Sequence, residues 1–328
     1  MESVYNMGTN RKVYKYVPTW YIVVYHEIRR IDGKKQNYLV SNRRDNGKWK
    51  KTSKFIGTGN IAKQQISKMK KEFEEELITN RKYENLSKEQ VKEIENLKQI
   101  YKKNVKKLSK EEFVKFQKTF FTELTYNSNA IEGNSLSLEE TSLVVNDNLV
   151  PEGKTLREIH EAKNHSQALN YLKGYKGDLN EELILKLHAI ILKNISERFA
   201  GKYRKGTVRI TGSTFKPPIA EKVPQLIGNL IYWYKKNKNK MHPFELTTIV
   251  SIKFVTIHPF VDGNGRVSRL VMNFLLSKKE YPWINIYNKQ RQKYLEAVRI
   301  GNDEDYSLII PYLIKTLKEN LKDFGFVK

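Results

Sequence analysis

Apolar and polar positions alternate in two different rhythms along this chain. Residues 18 to 57 read as β structure. WYIVVYHEI (Trp20 to Ile28) is β-branched and aromatic, Asp32-Gly33 marks a turn, QNYLVSN follows, and Asn46-Gly47 marks a second turn before KWKKTSKFIG. The pattern predicts a three-stranded antiparallel meander. From about Ile61 to Leu124 the period becomes helical, and the boxes Ser87-Lys-Glu-Gln90 and Ser109-Lys-Glu-Glu112 mark two helix starts. Val91, Ile94, Tyr101, Val105 and Leu108 fall near heptad spacing with Lys98 interrupting, a run too short for a coiled coil. A helical connector or a dimerisation arm fits it. Phe113, Phe116, Phe120, Phe121 and Leu124 form an apolar stripe that reads as core.

The remainder reads mainly as helices. Ser137-Leu-Glu-Glu140 is a third box, and ELILKLHAIILKN (182 to 194) and Phe244 to Ile257 are strongly apolar. Beyond Gly265, Val267, Leu270, Val271, Phe274 and Leu275 recur as one helical face. Thr207 to Phe215 is the exception: β-branched alternation around Gly212 predicts a small hairpin, ended by Pro217-Pro218. The fold class is therefore mainly α with two small β pieces. It divides into a basic meander (1–60), a helical connector (61–112) and a helical body (113–328).

Charge changes this picture. The chain has 328 residues and a formal charge of +24, and its first 110 residues hold 27 of the 60 basic but 12 of the 36 acidic residues. Such asymmetry suits a polyanion, nucleic acid first and a membrane surface second, or else a lysine-rich solvated surface. In the meander Tyr25, Tyr38 and Trp49 are interleaved with Arg29, Arg30, Arg43, Arg44, Lys50 and Lys51. Aromatic and basic residues together suit nucleic acid, and equally a small sheet with an aromatic core. Cysteine is absent, which excludes disulfide and thiol chemistry. No apolar run reaches the length of a membrane span, and the N-terminus lacks the apolar segment of a secretory signal. A soluble, cytoplasmic protein is the expectation.

The densest chemistry lies in HPFVDGNGRVSRL, His258 to Leu270. Two glycines flank Asn264 between two apolar helices, at a helix N-terminus whose unpaired N–H groups and dipole form an anion site. Glycine permits close approach by a phosphate. Arg266 and Arg269, at i and i+3 opposite the apolar face, suit phosphate oxygens. Asp262 offers the oxygen that magnesium takes from protein beside substrate phosphates. His258 can accept a proton near neutral pH. Together these parts point to attack by a hydroxyl on a phosphorus of a metal-bound triphosphate, unless the loop is a plain helix–helix turn. No Walker lysine or Rossmann strand accompanies them.

HPFVDGNGRVSR resembles the H-x-F-x-[DE]-G-N-G-R-x-x-R signature of the Fic family, with every defining position filled. The resemblance extends over roughly Phe113 to Lys318. It implies a helical Fic-domain core, about 155–300, carrying a β-hairpin flap, and AMP transfer from ATP to a Ser, Thr or Tyr hydroxyl of a protein, with self-modification and dimers open. Carried over, His258 is the base and Asp262 the magnesium ligand. Gly263, Asn264 and Gly265 cradle the α- and β-phosphates, Arg266 and Arg269 hold the outer ones, and Phe260 anchors the loop. Val208, Ile210, Gly212 and Phe215 belong to a flap that docks the target as an added strand, and Tyr294 lies at the adenine end. SNAIEGN, Ser128 to Asn134, resembles the family's inhibitory motif, on a helix placed at about 113–134. Ser128 and Glu132 share a face of a helix ending at Gly133. By resemblance, Glu132 pairs with Arg269, takes the γ-phosphate place and holds the free protein inactive. In some members the same acid serves removal of AMP.

Elsewhere His242 reads as a helix start with Pro243 at its first turn. His160 and His165 lie on different helix faces, which disfavours a metal pair, and His188 reads as a core or boundary histidine. The expectation is a magnesium- and ATP-dependent, autoinhibited protein adenylyltransferase with a basic appendage. The alternative from another class is a nucleic-acid-binding adaptor with a regulatory Fic core.

Overall fold

The computed structural model describes residues 24–45, 48–79, 83–209 and 215–327. These fall into two compact units, one of residues 1–82 with 237–241 and the other of 83–236 with 242–328.

The first unit is the expected meander with a helix behind it. Strands β1 (Val24–Ile31), β2 (Lys34–Asp45) and β3 (Lys48–Thr58) pair antiparallel in the order β1-β2-β3. Asp32 and Gly33 join the first two with φ of +49° and +72°, the positive pair that a tight hairpin turn requires. The second turn, Asn46-Gly47, and residues 20–23 of the first strand lie outside the described residues. Helix α1 (Lys63–Thr79) covers one sheet face, burying Phe73 against Val24 and Leu39, with Ile56, Ile66, Met69 and Leu77 around them.

The second unit is helical. Helix α2 (Lys88–Val105) and α3 (Lys110–Ile131) open with the expected boxes at Ser87 and Ser109, and α4 (Leu138–Asn146) opens at Ser137. A fourth box, Thr155 with Glu158, starts α5 (Leu156–Gly174). Helices α6 (Glu181–Ile191), α7 (Val223–Asn237), α8 (Pro243–Ile257), α9 (Asn264–Ser277), α10 (Arg291–Gly301) and α11 (Ile309–Asp323) complete it. The two helices read as one connector thus separate: α1 shares the sheet's core, whereas Val91, Ile94 and Leu97 of α2 are buried in the helical body, where α2 packs on α11. The aromatic stripe is core, since Phe116 and Phe120 pack on Phe324.

Two further expectations meet a different outcome. Thr207 to Arg209 and 215–219 have no regular secondary structure, and residues 210–214, the middle of the expected hairpin with Ile210 and Gly212, lie outside the described residues. Helix α9 has no exposed side opposite its apolar face: Arg266 is 1% and Arg269 3% exposed. It is buried all round because α8, α6, α5 and α3 all pack against it. Its two guanidinium groups therefore require partners inside the protein.

Candidate active site

The turn between α8 and α9 is built by its own side chains. His258 closes α8 as its C-cap in the left-handed region (φ +50°, ψ +60°). Such a conformation is uncommon for a residue with a Cβ. It is held from outside: buried Arg204 donates from Nε to the His258 carbonyl at 2.8 Å, from Nη1 to Gly206 at 3.0 Å and from Nη2 to Pro218 at 2.5 Å. The Arg204 backbone N–H also donates to the Pro259 carbonyl at 3.0 Å. One arginine thus joins both flanks of the expected flap to the His258 backbone.

Phe260 is fully buried, stacked on His188 at 3.6 Å between ring centroids. Asn264 closes a ring with Phe260, accepting from its N–H and donating to its carbonyl, both at 2.9 Å. Its side chain is thereby committed to loop shape, leaving only its backbone N–H for an anion. His188, expected in the core, lies beneath the loop: Nδ1 accepts from the Gly201 N–H and Nε2 donates to the Asp262 carbonyl, each at 3.1 Å. These bonds need the neutral ring, and burial pushes its pKa down to about 4.

Gly263 is the N-cap of α9 at φ +80°, and no side chain caps the helix. The first-turn N–H groups of α9 therefore face outward unpaired by their own helix. A Cβ on Gly263 would stand 3.3 Å from Ile191 Cγ2, so the turn is packed as well as twisted. A Cβ on Gly265 would stand 2.1 Å from Glu132 Oε1. The Glu132 carboxylate therefore lies directly over the start of α9.

Glu132 is the C-cap of α3, followed by Gly133 at φ +101°, as the helix-end reading required. Its Oε1 accepts from Arg269 Nη2 at 2.8 Å. Arg269 also donates from Nη2 to the Ser128 carbonyl at 2.8 Å and from Nε to Ser128 Oγ at 3.1 Å. Tyr294, expected at the adenine end, is buried with its hydroxyl bonded to Arg269. The last turn of α3 and the first turns of α9 thus meet through one buried cation.

The other arginine has a different environment. Arg266 Nη2 donates to Asp262 Oδ1 at 3.0 Å, and Nη1 stands 3.2 Å from Glu161 Oε1. Its Nε and Nη1 have no hydrogen-bond acceptor although both are buried. Asp262 also accepts from Arg157 Nη2 at 2.6 Å and from the Gly263 N–H at 2.5 Å. Burial opposes its ionisation, but Arg266, the Gly263 N–H and Arg157 outweigh burial and hold the carboxyl below its usual range. Arg157, Glu161 and Arg204 were not read from the sequence. The first two lie at i and i+4 within the first turns of α5, a spacing that only the site's geometry makes meaningful.

His258 stands with Nδ1 3.3 Å from the Val255 carbonyl. That carbonyl accepts only from an Nδ1–H, so Nε2 is left with its lone pair. Burial lowers the pKa of His258, the Val255 contact opposes this, and Arg204 reinforces it. The ring is therefore a neutral acceptor at physiological pH.

Comparison with known proteins agrees with this geometry. A model of the Fic/DOC family matches residues 178–276, which span α6 to α9 and include the whole turn. Curated relatives include "Protein adenylyltransferase Fic" of Drosophila virilis, 30% identical over 200 residues, which are 60% of this chain and 41% of that one. The namesake in Drosophila melanogaster is likewise 30% identical, with 40% of its length covered. The chain thus spans about two fifths of the curated relatives it matches. Among solved structures, a Fic domain containing signaling protein from Bacteroides thetaiotaomicron aligns with a TM-score of 0.63 at 28% identity, covering 69% of this chain and 95% of that one. Residues 134–508 of C. elegans Fic-1 align with a TM-score of 0.65 at 22% identity, over 81% and 78% of the two chains, a likeness of fold. Among the described residues no helix is long and apolar enough to cross a membrane. With the signature turn, the helical fold around it and these matches in agreement, the chain belongs to the Fic/DOC family.

Proposed function

We propose that the protein is an adenylyltransferase that moves AMP from ATP to a Ser, Thr or Tyr hydroxyl of a protein, and that Glu132 holds it inactive. The observation that carries the reading is the Glu132 carboxylate, 2.8 Å from Arg269 and over the first turn of α9. There an anion of the chain itself takes the place that an anion-binding helix start and a buried arginine offer to phosphate.

In this reading His258 Nε2 removes the proton from the target hydroxyl. The freed oxygen attacks the α-phosphorus, the bond from that phosphorus to the bridging oxygen breaks, and pyrophosphate leaves with the electron pair. Unpaired N–H groups at the start of α9 stabilise phosphate oxygens, and Arg269, released by Glu132, holds the outer phosphates. Arg266, bound by Asp262 and Glu161, mainly fixes the shape of the turn.

Among the described residues no cluster of three metal-ligating side chains exists, so a magnesium ion would be held by Asp262 together with nucleotide phosphates. The ionised state of Asp262 fits that role, with Arg157, 60% exposed, free to swing away. Bound there, the ion would neutralise phosphate charge.

The test is incubation with α-labelled ATP and magnesium of the unaltered protein, Glu132→Gly, and Glu132→Gly with His258→Ala. Label on protein in the second alone is expected. Equal labelling of the first two would overturn inhibition by Glu132, and equal labelling of the last two would overturn the role of His258. Loss of label from pre-modified protein, dependent on Glu132, would assign AMP removal instead.

A further inference from the structure

The charge of the first unit is segregated. Residues 24–58 hold ten Lys and Arg against three Asp and Glu, whereas 63–79, helix α1, hold four of each. The sheet is strongly basic and the helix behind it is neutral.

The register concentrates that charge further. The described part of β1 pairs with Lys34 to Ser41 of β2, while the β2–β3 ladder continues to Asp45 opposite Lys48. Among the described residues, Asn42–Asp45 and Lys48–Lys51 thus pair only with each other, as a two-stranded ribbon. Its eight positions carry five cations, Arg43, Arg44, Lys48, Lys50 and Lys51, against the single acid Asp45. The pairing sets Arg43 directly opposite Lys50. Like charges at directly opposed positions destabilise a ladder. A polyanion between or beside them removes the penalty.

At the base of the ribbon the sheet face turned away from α1 is also suited to nucleic acid. Tyr38 and Phe55 are cross-strand partners with ring centroids 5.4 Å apart, and Phe55 is 51% exposed. The Arg29 guanidinium lies 4.1 Å from the centre of the Tyr38 ring. Glu27 accepts from Arg29 at 2.7 Å and from Lys51 at 3.1 Å, which fixes where these cations stand. α1 occupies the opposite face, where Leu39 meets Phe73.

We propose that the β2–β3 ribbon, with the Arg29–Tyr38–Phe55 face at its base, binds double-stranded DNA. The B-form major groove, about 12 Å wide, admits a two-stranded β-ribbon. Strands about 4.8 Å apart fit that width, and four residue pairs at about 3.4 Å rise exceed the groove's depth of about 8.5 Å. Duplex RNA offers no such groove, because its major groove is narrow and deep. Ribbon cations reach phosphates on both groove walls, and the aromatic pair meets the apolar edge of bases or sugars. This binding is independent of nucleotide chemistry at His258.

The test uses the full chain and fluorescence anisotropy with a labelled mixed-sequence DNA duplex of about 24 base pairs, its single strand, and the matching RNA duplex, from about 50 to 250 mM salt. The comparison is between the unaltered chain, Arg43→Glu with Lys50→Glu, the milder Arg43→Gln with Lys50→Gln, and an equal-charge control, Lys235→Glu with Lys236→Glu, at exposed positions of α7. The DNA duplex is expected to bind tightest. The ribbon reversal is expected to weaken it by at least about tenfold and to flatten the log–log salt slope by about 2, with the Gln variant between and the control within about threefold. Absence of duplex binding at low salt would overturn the proposal. So would equal losses in ribbon and control variants, which would mean a response to net charge alone. Tighter binding of the single strand or the RNA duplex would overturn the assignment to duplex DNA.

Discussion

Replacing Glu132 by Gln keeps the shape of the C-cap and removes its charge. Arg269 then retains its bonds to Ser128 and Tyr294 but loses the carboxylate 2.8 Å away. A charge-assisted hydrogen bond of this kind is worth about 1.5–3 kcal/mol when buried. Arg269 is buried, but the Glu132 side chain is 38% exposed, so the lower part of that range applies, about 1–2 kcal/mol. The same quantity reappears in nucleotide binding with opposite sign. A phosphate reaching Arg269 in the unaltered protein must first displace Glu132, and in the variant it displaces nothing. ATP affinity is therefore expected to rise by about 5- to 30-fold in Glu132→Gln, while the free protein loses about 1–2 kcal/mol of stability. Urea unfolding without nucleotide, together with calorimetric titration by ATP and magnesium, measures both sides in one pair of proteins. An affinity unchanged within about twofold, with the stability loss present, would refute the competition between Glu132 and phosphate for Arg269.

Gly265→Ala is expected to destabilise the unaltered protein by about 1 kcal/mol, because its Cβ would meet Glu132 Oε1 at 2.1 Å. In the Glu132→Gly background the same change is expected to stabilise by about 0.5–1 kcal/mol through helix propensity, and urea unfolding of the four proteins reads the reversal of sign. Arg204→Ala is expected to cost about 3–5 kcal/mol in urea unfolding, since three backbone carbonyls lose a buried charged donor. Arg204→Lys recovers only part of that, because one ammonium does not span three acceptors. His165, buried against Thr125, has its pKa pushed down to about 3 by burial and by Arg269 and Arg266. The folded protein then excludes a proton that the unfolded chain takes up, so this stability is intact above about pH 6.5 and is lost as pH falls toward 3. Between about pH 6.5 and 5 the unaltered protein should lose about 2 kcal/mol that His165→Gln does not, measured by urea unfolding at each pH.

Most of the helix starts were legible because a capping box is a local device: Ser87, Ser109 and Ser137 each satisfy amide groups three residues away. The meander was legible for the same reason, since Asp32-Gly33 supplies positive φ within the turn itself. The failures were non-local. A 3.6-residue period gives the apolar face of α9 but not how many neighbours surround it, so Arg266 and Arg269 read as exposed although both are buried. The period of 61–112 likewise joins α1 and α2 as one connector, whereas burial of Phe73 and of Val91 assigns them to different cores.

For the site, the order of residues in HPFVDGNGRVSR determined the turn, the helix start and the types of chemical group that gather there. These follow from spacing along one backbone, where a glycine, an asparagine and a helix N-terminus act on their immediate neighbours. Tertiary structure alone decided which partner each charge takes. Arg269 faces Glu132 across 137 residues of chain, Asp262 faces Arg157 across 105, and Arg204 reaches His258 across 54. Burying a guanidinium requires acceptors at hydrogen-bond distance on every side. Those acceptors come from whichever helices the hydrophobic core brings together, and no local spacing specifies them.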